Sequence, residues 1–414
     1  MSRDRYAGAD SNAGVNEKRP THGHSVDEIV NRVRRQRGGR FSSWKADCKT
    51  CIVPQLTQEL FEQYLRTVLG KPVTVLGMAP LGEVPAKDSI KTYGYGQPVR
   101  IDYQMAGAPP QSAVFHTTNP SPFGHEHMSD RAQGLLWAHE AFSRLPRHVR
   151  SLDVGAIQHG RSILALGHAE EFCLLTEYAD GDGYNRDLAR LRDTDLLSDL
   201  DLARADALCD YLLEIHQARG GEPSLYTRRI RELVGHGECI MGLVDSYPSH
   251  PVFPQAVLME IEHLCIKWRW KLKPLTHRLR QVHGDFHPWN ILFAEGTDFH
   301  VLDRSRGEWG DPADDVTSLT ANYLFFSLQR YQRLQGPLET LFQRFWKRYL
   351  AGSGDREMLR VAAPFFAFRG LVMASPLWYP ALPDPVRQKL LTFLLSVLKN
   401  KEFDPQEVNA YCGL

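Results

Sequence analysis

One stretch of the chain, His283-Gly284-Asp285-Phe286-His287-Pro288-Trp289-Asn290 with Leu302-Asp303 shortly after it, leaves the surrounding fold little freedom. Ile291-Leu292-Phe293 and Val301-Leu302 follow it, separated by the turn-prone Ala294-Glu295-Gly296-Thr297-Asp298. Short apolar runs on either side of such a turn predict a β-hairpin behind a polar loop. A hairpin with an Asn at its start and an Asp at its end can aim both side chains at one cation. Oxygen ligands from one or two side chains, completed by substrate phosphates, are the usual way magnesium is held. The spacing therefore predicts a magnesium–nucleotide site.

The rest of the chain has to house that site. With 414 residues it exceeds one ordinary domain, so two lobes plus an appendage are expected. Lys+Arg and Asp+Glu are both 49, and a zero formal charge argues against a general nucleic-acid or membrane-surface binder. No apolar run reaches the ~20 residues of a membrane span. The nearest, Phe365 to Leu382, is interrupted by Arg369, Pro376 and Pro380. The polar start, Met1-Ser2-Arg3-Asp4-Arg5, shows no secretory signal. Seven scattered cysteines fit reduced thiols in a cytoplasm better than a disulfide framework. Cys48-Lys49-Thr50-Cys51 has no second pair at zinc spacing and reads as incidental.

In chain order, a polar segment to about residue 24 is expected to stay disordered. Ser25-Val26-Asp27-Glu28 reads as a capping box opening a helix with a basic end, Arg32 to Arg40. A second helix is expected over Thr57–Val68. Strands are expected at Val73–Leu76, Val99–Tyr103, Ala113–Thr117, Ser162–Leu166 and Glu171–Tyr178, with a helix over Ser129–Arg144 between the third and fourth. Gly94 and Gly96 mark a turn between the first two strands; a plain hairpin turn is the simpler reading, though backbone N–H groups of such a turn can approach phosphates. After Ala179-Asp180-Gly181-Asp182-Gly183, helices are expected over Asp199–Gln217, Pro312–Gln329, Pro337–Tyr349, Arg356–Met373 and Pro385–Lys399. Lys267-Trp268-Arg269-Trp270-Lys271-Leu272-Lys273 reads as an amphipathic helix rather than an RNA-stacking surface. The domains are then an N-terminal extension (1–52), a strand-rich lobe (53–178) and a helical lobe (179–414).

His283-x-Asp285-x-x-x-x-Asn290, Leu302-Asp303 and Gly310-Asp311-Pro312-Ala313-Asp314-Asp315 together resemble the aminoglycoside phosphotransferase and choline kinase family. The similarity follows the order of elements over roughly residues 73 to 380 and is specific in sequence from 283 to 315. It implies an α+β, bilobal, protein-kinase-like fold with an antiparallel-sheet N-lobe and a mostly helical C-lobe. It implies Asp285 as the catalytic aspartate that orients the acceptor hydroxyl, and Asn290 and Asp303 as magnesium ligands. It also implies that His283, Asp311 and Asp315 support the loop, that Gly94 and Gly96 cover the phosphates, and that Glu177, Tyr178 and Ala179 meet the adenine.

The expected partners are ATP (or GTP), Mg²⁺ and a small-molecule acceptor, and the expected activity is phosphoryl transfer to a hydroxyl. The stretches Tyr226–Tyr247 and Pro364–Tyr379 are the expected acceptor walls, with helix-packing core as the plainer reading of their aromatics. The third strand departs from the pattern, with His116 where a phosphate-pairing Lys or Arg belongs. Lys87 or Lys91 are the other candidates, and Asp130 is the nearest candidate for the acid facing that cation. The departure motivates a second reading, a nucleotide-binding regulatory protein with little or no turnover.

Overall fold

In a computed structural model of the chain, residues 57–81, 95–96, 98–144, 146–159 and 162–414 are described. The basic helix expected after Ser25, Cys48, Cys51, Lys87, Lys91 and Gly94 lie outside these residues.

Thr57 caps the first described helix, its hydroxyl oxygen accepting from the Leu60 N–H. Helix α1 (Gln58–Leu69) then runs to Gly70, which closes it in a left-handed conformation. Two antiparallel strands, β1 (Val73–Pro80) and β2 (Val99–Met105), pair with each other, and β3 (Gln111–Phe115) pairs with β2. Alternate residues Val73, Val75, Ile101 and Tyr103 face Phe61 and Leu65 of α1 and form a small first core. Helix α2 (Met128–Phe142) starts under a capping box between His127 and Asp130 and buries none of its side chains. Beyond it, β4 (Gly155–Gln158) and β5 (Ser162–Ala165) form a separate antiparallel pair.

The strand expected over Glu171–Tyr178 does not form. These residues have no sheet partner among the described residues, and Phe172, Leu174, Leu175 and Tyr178 are exposed. Adjacent apolar residues such as Leu174 and Leu175 point to opposite sides of an extended chain. Phe172, Leu174 and Tyr178 would share one face of a strand, but among the described residues no sheet edge takes that face up, and composition alone does not make a strand.

After the short β6 (Asp182–Gly183) the chain becomes helical: α3 (Tyr184–Thr194), α4 (Asp199–Ile215), α5 (Pro223–Gly235), α6 (Ile240–Ser246) and α7 (Gln255–Leu272). Four short strands follow, β7 (Arg280–Gln281), β8 (Ile291–Phe293), β9 (Phe299–Val301) and β10 (Trp309–Gly310). The chain finishes with α8 (Pro312–Tyr331), α9 (Gly336–Ser353), α10 (Ala363–Ala374), α11 (Asp384–Lys399) and α12 (Val408–Tyr411). The helix expected over Arg356–Met373 is divided into a 3₁₀ turn, Arg356–Arg360, and α10. Pro364 explains the break, because proline has no N–H to donate and suits the first turn of a new helix.

Helix α8 is the centre of the second, larger core. It is buried on all sides from Pro312 to Leu328, polar residues included. Thr320 and Asn322 satisfy their side-chain donors on the Val316 and Ser318 carbonyls one turn back. Trp268 of α7 is buried and donates to the Leu398 carbonyl, while Trp270 is exposed beside Arg269 and Lys273, as an amphipathic helix requires. The whole is an α+β arrangement of small antiparallel sheets ahead of a helical body. No described helix is long and apolar enough to cross a membrane.

Candidate active site

The hairpin sets the site. Ile291 pairs with Val301 and Phe293 with Phe299, both rows running into the large core, while β6 covers the other edge of β8. The ladder extends one step further, the Leu302 N–H donating to the Asn290 carbonyl at 2.8 Å. Asn290 and Asp303 therefore leave the open end of the hairpin as neighbours. The Asn290 Nδ2 donates to the Asp285 carbonyl at 3.1 Å, which leaves its Oδ1 as an acceptor. Asp303 lies at φ 54°, a left-handed conformation that Asp tolerates better than most residues. One of its carboxylate oxygens accepts from the Ser305 N–H at 3.2 Å; the other has no partner among the described residues. Two hard oxygen donors are the chemistry magnesium takes when substrate phosphates complete its shell. Among the described residues no group of three or more His, Cys, Asp or Glu could hold a metal alone, so a magnesium ion here would draw on Asn290, Asp303 and nucleotide oxygens.

The loop before the hairpin is fastened from below by the first turn of α8. Asp315 accepts from the backbone N–H groups of both His283 and Gly284 at 2.8 Å. The same carboxylate meets the His216 Nε2 at 3.1 Å, and His216 Nδ1 meets the Tyr349 hydroxyl at 2.7 Å. Burial would raise the Asp315 carboxyl, but the His216 hydrogen bond and charge bring it below the usual carboxylate range. Asp311 caps α8 through the Ala313 N–H, takes both Nε and Nη2 of Arg278 at 2.8 Å, and accepts from the Tyr226 hydroxyl at 2.8 Å. Asp314 pairs with Arg229 at 2.7 Å. Gly284 has φ 84°, and a Cβ there would lie 3.3 Å from the Gly307 carbonyl oxygen, so the turn needs glycine.

Asp285 itself is buried, and its surroundings are strongly cationic. Arg369, from α10, forms a hydrogen-bonded ion pair with Oδ1. The Arg306 Nε and the His287 Nε2 each lie 3.7 Å from Oδ2. Burial pushes the Asp285 carboxyl up, but Arg369, Arg306 and His287 outweigh it and hold it at about 2. His287 is pushed down to about 4 by burial and then by Arg369, against the pull of Asp285, so its imidazole is neutral at physiological pH. His283 accepts from the Asp285 N–H through Nδ1 at 3.3 Å, and its ring packs edge-on against Phe286.

The nucleotide-side candidates lie elsewhere in the chain. A Cβ on Gly96 would sit 2.1 Å from the Thr117 carbonyl oxygen, so glycine is required where that turn crosses the end of β3. His116 is exposed just beyond β3, while Ala113 and Phe115 face the first core. Glu177 and Tyr178 are exposed and Ala179 half-buried in the unpaired segment leading to β6. None of these residues is hydrogen-bonded to the 283–315 group among the described residues. Asp130 does not serve a phosphate-pairing cation: Arg228 of α5 takes both its oxygens, at 2.5 and 2.8 Å, together with Glu126 and Glu232. Of the expected acceptor walls, Tyr226, Phe365 and Phe366 are core.

Residues 131–361, more than half of the chain, match the sequence model of the phosphotransferase enzyme family. The chain belongs to that family. No curated protein matches it in sequence. Solved structures similar to this phosphotransferase include a glucosamine kinase (18% identity, 56% of this chain and 57% of that one, TM-score 0.28). The match thus spans little more than half of that kinase. An amicoumacin kinase in complex with AMP-PNP, Ca²⁺ and Ami is 13% identical over 81% of this chain and 91% of that one, at TM-score 0.36. A choline kinase from Cryptosporidium parvum is 11% identical over 94% and 92%, at 0.30. Membership rests on the sequence match and not on these superpositions.

Sequence reasoning missed the cations around Asp285. Arg369 was visible as an interruption of the apolar run Phe365–Leu382 and as a member of the expected acceptor wall, but nothing in the pattern says that it points at Asp285. Arg306, three residues after Asp303, carried no distinguishing signal.

Proposed function

We propose that this phosphotransferase uses ATP or GTP with magnesium and transfers the terminal phosphoryl group to a hydroxyl of a small molecule. The observation carrying this reading is the placing of Asp285, Asn290 and Asp303 around one end of the β8–β9 hairpin, on a loop tied down by Asp315. When bound, magnesium would supply charge neutralisation on the transferring phosphate. Asp285 orients the acceptor hydroxyl in line with the phosphorus. With its pKa held low it is a weak base, suited to receiving the proton late, once the new O–P bond has formed and the leaving phosphate has departed. Asn290 and Asp303 hold the metal, and His283, Asp311 and Asp315 keep the loop in register. In this reading the nucleotide lies between the strand-rich and helical lobes, with Gly96 and His116 towards the phosphates and Glu177, Tyr178 and Ala179 at the base.

Thermal shift with ATP, with and without Mg²⁺, tests the reading. A magnesium-dependent rise in Tm is expected, followed by ADP release against a panel of hydroxylated metabolites. Asp303→Asn keeps a residue at ease at positive φ and removes a charged ligand, so nucleotide affinity should fall roughly 10-fold or more. A protein whose Tm ignores Mg·ATP ends this reading. Stabilisation with no transfer to any acceptor would favour nucleotide binding without turnover.

A further inference from the structure

Three guanidinium groups converge behind the Asp285 loop, and only two carboxylates answer them. Arg369 pairs with Asp285, Arg229 pairs with Asp314, and Arg306 stands 3.7 Å from the Asp285 carboxylate already taken by Arg369. The Nε of each of the three arginines is buried without a hydrogen-bond partner among the described residues. Buried donors are almost always satisfied, and a guanidinium is an expensive one to leave open. The Phe368 ring lies between two of them, 4.8 Å from Arg306 and 5.0 Å from Arg369, so packing against an aromatic face helps hold these charges in place. The second carboxylate is itself weakened as a counter-ion: burial raises the Asp314 carboxyl despite Arg229, and its Oδ1 has no partner.

Arg306 and Arg229 also line a cavity of about 570 Å³ between the start of α2, α5 and the 304–309 loop. That volume suits a small molecule. Arg304, on the same wall, spends its donors on the Val282 and Glu308 carbonyls and has no carboxylate. Arg228 is neutralised by Glu126, Asp130 and Glu232. Glu238 and Glu308 are the wall's other acids, and Glu308 accepts from the Trp309 indole. Four arginines and four acids therefore share this wall, and Arg306 is the arginine that reaches from it to the Asp285 carboxylate.

We propose that the acceptor is a hydroxy acid: it carries a carboxylate close to the hydroxyl that is phosphorylated, and Arg306 and Arg369 hold that carboxylate beside Asp285. This rests on the kinase reading above and names its acceptor class. Because both guanidiniums flank the Asp285 carboxylate, an acceptor hydroxyl oriented by Asp285 has its anion on an adjacent or next-adjacent carbon. The groups that would otherwise fill this pocket are the terminal phosphate of the nucleotide and ordinary water.

The test uses the full chain with Mg·ATP and follows ADP release with glycerate, lactate and 3-hydroxybutyrate, their amides, and the amino alcohols ethanolamine and choline. The hydroxy acids should exceed their amides and the amino alcohols at least 10-fold in kcat/KM. Arg306→Gln should raise the KM for the best hydroxy acid roughly 10- to 100-fold, as loss of a charge-assisted contact does, with the nucleotide KM unchanged. Arg369→Met should do the same if it folds; Arg369→Lys, which keeps the charge beside Asp285, should retain part of the affinity. Preference for amides or amino alcohols, silence of the whole acid series, or a rise in nucleotide KM instead of acceptor KM overturns the proposal. Equal use of acids and amides assigns the open N–H groups to water and overturns it too. The kinase reading fails separately, by an absence of magnesium-dependent nucleotide stabilisation.

Discussion

Asp285 serves two purposes, and a single substitution removes both. Its carboxylate is the counter-charge of the buried Arg369, and in the proposed reaction it also aligns the acceptor hydroxyl. Asp285→Asn should therefore abolish transfer, measured as ADP release, while leaving a buried cation unpaired. Breaking such a pair costs about 3–5 kcal/mol, so the variant should melt several degrees lower in a calorimeter. An inactive variant with unchanged Tm would mean that Arg369 finds another partner. The pH dependence follows from the same charges. The Asp285 carboxyl is depressed to about 2, so the stability its ionisation contributes is present above the ordinary value of 3.8 and is lost as pH falls from there through about 2. His287 works in the opposite sense for a histidine, since its folded value of about 4 lies below 6.5. The unfolded chain binds that proton more readily between these values, and His287 makes stability rise with pH across the same window.

Between elements, the contact that aims Arg369 is the packing of α10 on α11. Gly370 is where the two helices come closest: a Cβ there would lie 2.2 Å from the Leu394 Cδ2. Leu394 is fully buried and cannot swing outward. Gly370→Ala gains helix propensity but forces the helices apart, a net cost of about 1–3 kcal/mol by overpacking. The shift acts one residue from Arg369. The variant should lose activity in proportion beyond its loss of stability, read as kcat at a temperature where it remains folded by circular dichroism. Gly370→Ser, which adds a hydroxyl to the same Cβ, should lose at least as much. Activity intact at wild-type kcat would show that the Arg369–Asp285 pair does not depend on this helix contact.

For the molecule as a whole, the two cores are unequal. The first gathers Phe61, Leu65, Val73, Val75, Ile101 and Tyr103, whereas the second runs through every major helix from α3 to α11. Each fully buried large side chain contributes about 1.5–3 kcal/mol, so the strand-rich part has far less holding it together. α2 buries nothing, and Glu126 and Asp130 reach the helical part through Arg228. Amide hydrogen exchange should show β1–β5 and α2 opening well before α8, whose amides should exchange only on global unfolding. Equal protection in both regions would contradict this division.

The strand-rich first part, the helical second part, the hairpin, and the Asp285, Asn290 and Asp303 spacing were legible in the sequence because they are local: periodicity, turn residues and a fixed separation along the chain encode them, whereas the helices Tyr184–Thr194, Pro223–Gly235 and Ile240–Ser246 were not read. The cap at Asp311 was legible for the same reason, as Asp-Pro opening a helix. Two expectations failed where the deciding partner was distant. Glu171–Tyr178 has a strand's composition but no edge to pair with, and Asp130 faces Arg228, which lies 98 residues away. Arg369 stands 84 residues from Asp285, and Arg306 and Arg229 reach the same neighbourhood from other elements. No periodicity records which charges share a buried site, because that depends on how helices cross. The sequence by itself determined the Asp285, Asn290 and Asp303 spacing and the family; only the tertiary structure decided that Asp285 sits among arginines.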